Sequence, residues 1–165
     1  MKQTITHTIP PCYDSHSRIL ILGTMPSPKS REYGFYYGHP QNRFWKIISD
    51  LLEKPLPTTN QEKQNLLLQN QIALWDVLKS CEIDGASDSS IQNPIPNNLS
   101  EILSNSQIHT IFTTGAKAYQ LYEKYCFPQT KIPAISLPST SPANCRTSYQ
   151  QLKAAYQILL DALKQ

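Results

Sequence analysis

The stretch that decides the fold runs from Arg18 to Trp45, RILILGTMPSPKSREYGFYYGHPQNRFW. Arg18–Leu22 is a short, uninterrupted apolar run, the pattern of a strand buried on both faces of a parallel sheet. It breaks at Gly23, passes through a loop rich in Pro, Gly and Tyr, and enters a helix near Asn42. Beyond that point Phe44, Ile47, Ile48, Leu51 and Leu52 recur at helical spacing, with Lys46, Asp50 and Glu53 away from that face. Pro55 and Pro57 stop the helix. Ligands of open α/β sheets bind beyond the carboxyl ends of the strands. This polar, aromatic loop is therefore the best candidate for a site.

The rest of the chain repeats the alternation. Residues 1–17 read as an irregular arm, with Pro10-Pro11 preventing an early helix. Thr59-x-x-Glu62 has capping-box form and predicts a helix through Leu66–Leu68. Gln71–Leu74 is a strand running into Asp76, and residues 80–98, SCEIDGASDSSIQNPIPNN, read as a long loop. Leu99–Leu103 is a short helix, and Ile108–Thr113 a strand that turns at Gly115 into a helix carrying Ala118, Leu121, Tyr122 and Tyr125 on one face. Lys131–Leu137 is the last strand, followed by a second Pro/Ser loop, LPSTSPANCR, and an amphipathic helix over Tyr149–Leu163. The expectation is one domain over residues 1–165, a three-layer α/β/α sandwich around a four-stranded parallel sheet.

With 165 residues and a formal net charge of +3, bulk charge alone argues little for a nucleic-acid partner, and any such contact must come from local geometry. No stretch approaches the roughly 20 apolar residues of a membrane span, and the N-terminus lacks a signal-peptide run. A soluble cytoplasmic protein, with no membrane partner, is expected. Cys12, Cys81, Cys126 and Cys145 form no C-x-x-C pair, so four free thiols are expected, with no metal and no cofactor.

Two loops fit a site at strand ends: Gly23 to Ser30, GTMPSPKS, and Leu137 to Asn144, LPSTSPAN. Their hydroxyls and backbone N–H groups suit a phosphate backbone. The aromatics Tyr33, Phe35, Tyr36 and Tyr37 suit stacking on a base. Phosphate-loop, dinucleotide and hydrolase-elbow motifs are all missing. Ser27 and Ser139 have no evident His partner, and His39, beside Pro40, reads as a structural residue or a base. On spacing alone Asn42 reads as a helix cap.

The stretch GTMPSPKSREYGFYYGHPQNRFW, then ALWDVLKSCEIDGASDSSI, then LPSTSPAN resembles the uracil-DNA glycosylase superfamily, and most of all its hypoxanthine-DNA (DNA-deoxyinosine) glycosylases. The resemblance covers about residues 18–160 and implies the same four-stranded sheet. It also implies a monomeric enzyme that flips a deaminated base out of DNA and hydrolyses its glycosidic bond. Uracil or mismatched thymine is the alternative substrate, and a non-catalytic DNA- or nucleotide-binding module the alternative class.

The resemblance assigns catalysis to Asn42, because the first motif carries Met25 where many relatives have a water-handling Asn or Asp, and a thioether is a poor partner for water. An amide there can accept from water and donate to base or phosphate. It places Gly23, Thr24, Met25, Tyr37 and His39 around the base. Ser27, Pro138, Ser139, Thr140, Ser141 and Pro142 go to the DNA backbone and wedge loop. Leu137 stands where some relatives use a His on the base. Phe44 and Trp45 read as helix anchors, and Asp76 and Asp88 as caps or turn residues, or else as supports behind the site residues.

Overall fold

The computed structural model describes residues 2–165. The chain begins with a strand, β1 (Gln3–Thr6), so the arm is not wholly irregular. The buried run forms β2 (Ile19–Gly23), all five residues of which are buried. It is central in a parallel sheet completed by β3 (Ile72–Asp76), β6 (Thr110–Thr114) and β7 (Ala134–Leu137), in the order β3-β2-β6-β7. This is the expected four-stranded sheet. Ile19 and Ile21 pack into one core and Leu20 and Leu22 into the other, each at 0% exposure, which is why β2 reads as a continuous apolar run rather than an alternating one.

The first face is covered by α2 (Phe44–Leu52), α3 (Asn60–Gln69), and the C-terminal helices α7 (Tyr149–Tyr156) and α8 (Ile158–Leu163). The expected single C-terminal helix tightens at Gln157, whose N–H bonds back to the Ala154 carbonyl. Thr59 caps α3 by accepting from the Glu62 N–H, while Glu62 reaches one residue further back, to the Thr58 N–H. The second face is covered by the short α4 (Ser100–Ser104) and by α5 (Ala116–Leu121), which runs on through a π-helical turn at Tyr122–Cys126 into α6 (Phe127–Thr130).

Residues 80–98 are the main correction. They contribute to β4 (Leu78–Ile83) and β5 (Gln92–Pro96), which pair with β1 in a separate antiparallel sheet, order β1-β4-β5. Pro94 and Pro96 disguise β5, but an edge strand tolerates Pro because one side of its backbone needs no partner. Leu78, Cys81 and Ile83 of β4 are buried against the second face of the parallel sheet. The N-terminal arm is drawn in by β1 and by Tyr36, whose hydroxyl donates to the carbonyls of Ile9 (3.0 Å) and Pro10 (2.9 Å). Cys12, Cys81, Cys126 and Cys145 are free thiols, the first three buried. Among the described residues no helix is long and apolar enough to cross a membrane.

Candidate active site

The chain leaves β2 for β3 on one side and later returns to β6 on the other. A crevice must open at the carboxyl ends of these strands. There the structure has a cleft of about 330 Å³. Gly23, Asp76 and Thr114, the last residues of β2, β3 and β6, form its floor. Its walls come from the two loops that the sequence singles out. Thr24, Met25, Ser27, Tyr37, His39 and Asn42 line it from one, and Ser139, Thr140, Ser141 and Pro142 from the other. Pro138 does not: it lies behind the rim, its carbonyl accepting from the Tyr156 hydroxyl at 2.7 Å.

Asn42 joins the two loops. Its Oδ1 accepts from the Phe44 N–H (2.9 Å), at the start of α2, and from the Thr140 hydroxyl (2.8 Å), which is buried. A carbonyl oxygen has two acceptor sites, so Oδ1 is filled and does not also accept from water. The Phe44 donor fixes which way the amide points, and Nδ2 has no hydrogen-bond partner among the described residues. The N-cap of α2 is Arg43, so Asn42 stands one residue before the expected cap position, holding the first N–H of the helix and presenting an N–H₂ donor. Next to it Arg43 clasps the second loop, its guanidinium donating to the carbonyls of Thr147 (2.6 Å), Asn144 (2.8 Å) and Ser141 (3.2 Å).

The consecutive tyrosines diverge because Tyr37 has a left-handed backbone, φ +53°. That conformation is costly for a bulky residue and recurs at functional sites. Tyr36 is 2% exposed and serves the core. Tyr37 lines the cleft, with its ring stacked on Phe44 (centroids 4.0 Å apart, 13° between planes) and its hydroxyl 2.9 Å from Thr114 Oγ1. Burial, with Asp76 nearby, pushes its phenol above the usual tyrosine range, so it stays protonated. Phe44 and Trp45 are buried anchors, as expected.

The serines differ in what they have left to give. Ser27 caps α1 (Pro28–Tyr33) by accepting from the Ser30 N–H, and its own proton goes to the Ser30 hydroxyl. Ser139 and Ser141 only accept, from the Ser141 and Ala143 N–H groups at 3.1 Å each. Their O–H groups can still donate to an anionic oxygen. His39 Nδ1 accepts from the Gln41 N–H at 3.1 Å. That bond occupies Nδ1 and leaves Nε2 as the ring nitrogen free to meet a ligand.

The sequence reading weighed for Asp76 a supporting role behind the site against a cap or turn role, favoured the latter, and passed over His7. The structure pairs them, His7 Nε2 to Asp76 Oδ2 at 2.9 Å, with side chains 2% and 5% exposed. The two lie 69 positions apart, and no spacing rule links them. The one available signal was a charged residue directly ending an apolar strand. Burial raises the Asp76 pKa, while His7 and the Gly23 backbone oppose the rise. Asp88 also lines the cleft, its pKa raised by burial and lowered by Lys117.

The profile of the Uracil DNA glycosylase superfamily matches residues 10–163. A hypoxanthine DNA glycosylase of Methanosarcina acetivorans is 34% identical over 148 residues, 87% of this chain and 91% of that protein. One from Methanosarcina barkeri is 38% identical over 85 residues, 51% of this chain and 54% of that protein. A solution NMR structure from Methanosarcina acetivorans, provisionally named a uracil DNA glycosylase, superposes with a TM-score of 0.82 at 29% identity, covering 100% of both chains.

Proposed function

Because this chain belongs to the uracil-DNA glycosylase superfamily and falls with its hypoxanthine-DNA glycosylases, we propose that it excises hypoxanthine from deoxyinosine in DNA and leaves an abasic site. The observation that carries this reading is the Asn42 amide, locked by Phe44 and Thr140 with its N–H₂ group left over in the cleft.

A base within a duplex is out of reach, so the nucleotide is flipped into the cleft. Tyr37, backed by Phe44, is the wall on which it stacks. The carbon–nitrogen bond to the sugar breaks, with the electron pair leaving on the base. Water adds to the cation-like sugar carbon and loses a proton, and the base gains one. Hypoxanthine spreads the departing charge over its ring and carbonyl. A fixed N–H donor aimed at that charge stabilises the transition state more than the ground state. Asn42 thus serves the leaving base rather than the water.

The Ser139 and Ser141 hydroxyls grip the DNA backbone in this reading, with Pro142 and Ala143 at the exposed tip as a shallow wedge. Replacing both serines by Ala weakens duplex binding by about tenfold or more, from the worth of hydrogen bonds to charged groups. The salt dependence keeps its slope, because neutral hydroxyls release no counterions. Fluorescence anisotropy at several salt concentrations measures both.

The activity itself is tested by single-turnover reactions on duplexes carrying hypoxanthine, uracil, xanthine or mismatched thymine, followed by alkali. Hypoxanthine should be released fastest. Folded protein that yields no strand break on any of the four contradicts the reading, and faster release of uracil moves the substrate assignment.

A further inference from the structure

The stretch between β7 and α7, residues 138–148, has no helix or strand of its own. It carries Ser139 and Ser141, whose hydroxyls are given above to the DNA backbone, and its tip at Pro142 and Ala143 is exposed. A free loop of this kind samples many shapes, and ordering it on a ligand costs affinity. Here one side chain sets the shape. The planar guanidinium of half-buried Arg43 gathers three separate carbonyls of the loop, those of Ser141, Asn144 and Thr147. The Arg43 backbone N–H takes a fourth, that of Thr140, at 3.1 Å. Within the loop the Asn144 amide donates to the Ser139 carbonyl at 2.9 Å, and the Thr147 hydroxyl donates to Asn144 Oδ1 at 3.3 Å.

The direction of these bonds matters for an anion. A carbonyl oxygen carries partial negative charge and repels a phosphate at short range. The carbonyls of Ser139, Thr140, Ser141, Asn144 and Thr147 are all engaged from within the protein, most of them by Arg43. The Ser139 and Ser141 O–H groups are left to donate. Only a rigid fork of donors can hold several carbonyls at once; a lysine would supply the same charge as a single point. Arg43 is also the N-cap residue of α2 and directly follows Asn42, which holds the Thr140 hydroxyl of the same loop.

We propose that Arg43 is a positioning residue that preorganises the 138–148 loop to receive the phosphate backbone, without touching DNA itself. This rests on the glycosylase reading and deepens it. Two consecutive residues at the start of α2 then tie the leaving-group donor and the DNA grip into one unit.

The test measures binding to a duplex carrying uncleavable 2′-fluoroarabino deoxyinosine, by fluorescence anisotropy over a range of salt concentrations. Circular dichroism checks that each variant is folded. Arg43→Ala should bind at least about tenfold more weakly than the parent, with the parent's slope against log salt. Arg43→Lys, which keeps the charge and loses the fork, should bind at least about threefold more weakly. Replacing Ser139 and Ser141 by Ala costs the parent about tenfold or more; in the Arg43→Ala background it should cost less than about threefold, because the loop no longer presents them. Where Arg43→Ala does not fold, Arg43→Lys carries the same comparisons of slope and of serine loss.

A salt slope shallower by about one would make Arg43 a direct phosphate contact and overturn the assignment. Serine losses as large in the Arg43 variant as in the parent would overturn it too, as would Arg43→Lys binding like the parent. If the parent releases hypoxanthine while any of these results is found, only this assignment fails. A folded parent that neither binds the duplex nor releases a base overturns the glycosylase reading, and this assignment with it.

Discussion

Asn42→Ala and Asn42→Asp both slow release of hypoxanthine by about a hundredfold to a thousandfold, the usual loss when one preorganised donor to a developing charge is removed. The two variants part on stability. Asp keeps an oxygen for the Phe44 N–H and for the Thr140 hydroxyl; it removes only the N–H₂ donor and puts negative charge against a departing anion. Ala removes the bonds to the Phe44 N–H and the Thr140 hydroxyl as well, costs about 1 kcal/mol or more, and unties the Thr140 loop from α2. Asn42→Asp should therefore melt with the parent and Asn42→Ala below it, with both inactive to a similar degree. If Asn42→Asp released the base at the parent rate, the donor role would be wrong even with the substrate right. Thermal unfolding and single-turnover kinetics on the same preparations decide it.

Gly23→Ala is the most damaging small change available in the cleft. The added methyl would lie 2.5 Å from Asp76 Oδ1, 3.2 Å from the Tyr37 hydroxyl and 3.6 Å from Thr114 Oγ1. None of these can yield cheaply. Asp76 is pinned by His7, and Tyr37 by Thr114 and by stacking on Phe44. The cost should be about 2–3 kcal/mol, as for other changes that disrupt a buried polar network. In a chain of 165 residues that is a fall of about 5–10 °C in Tm. Release should drop at least about a hundredfold, because the substitution displaces the stacking wall and the floor of the cleft together. A Gly23→Ala protein with the parent's melting point and rate would show that this floor is looser than its geometry requires.

The parallel sheet was legible because its strands are buried on both faces, and burial writes itself into the sequence as unbroken apolar runs. Ile19–Leu22 needs no partner to be recognised. The two cleft loops were legible for a related reason: they interrupt such runs with Gly, Pro and Ser at strand ends, where a doubly wound sheet holds its ligands. The antiparallel sheet was not. β1, β4 and β5 bury few residues and carry Thr, Ser, Asn and Pro, so their pattern reads as loop. Only pairing makes them strands, Gln3–Thr6 with Ser80–Ile83 and β4 in turn with β5. The His7–Asp76 pair was hidden for the same cause, since it exists only once β1 has docked on β4. Asn42 sits between these cases. Its place at the helix start was readable, but the direction of its amide was not, because Thr140 lies 98 positions away.

The central claim is that a deaminated base leaves the duplex and enters the cleft bounded by Tyr37, Asn42 and Asp76. A crystal structure with a duplex carrying an uncleavable 2′-fluoroarabino deoxyinosine tests it most directly. The predicted result is hypoxanthine stacked on Tyr37, with Asn42 Nδ2 within about 3 Å of a polar atom on its edge. A base still stacked in the helix, or one flipped onto any other surface, would contradict the account.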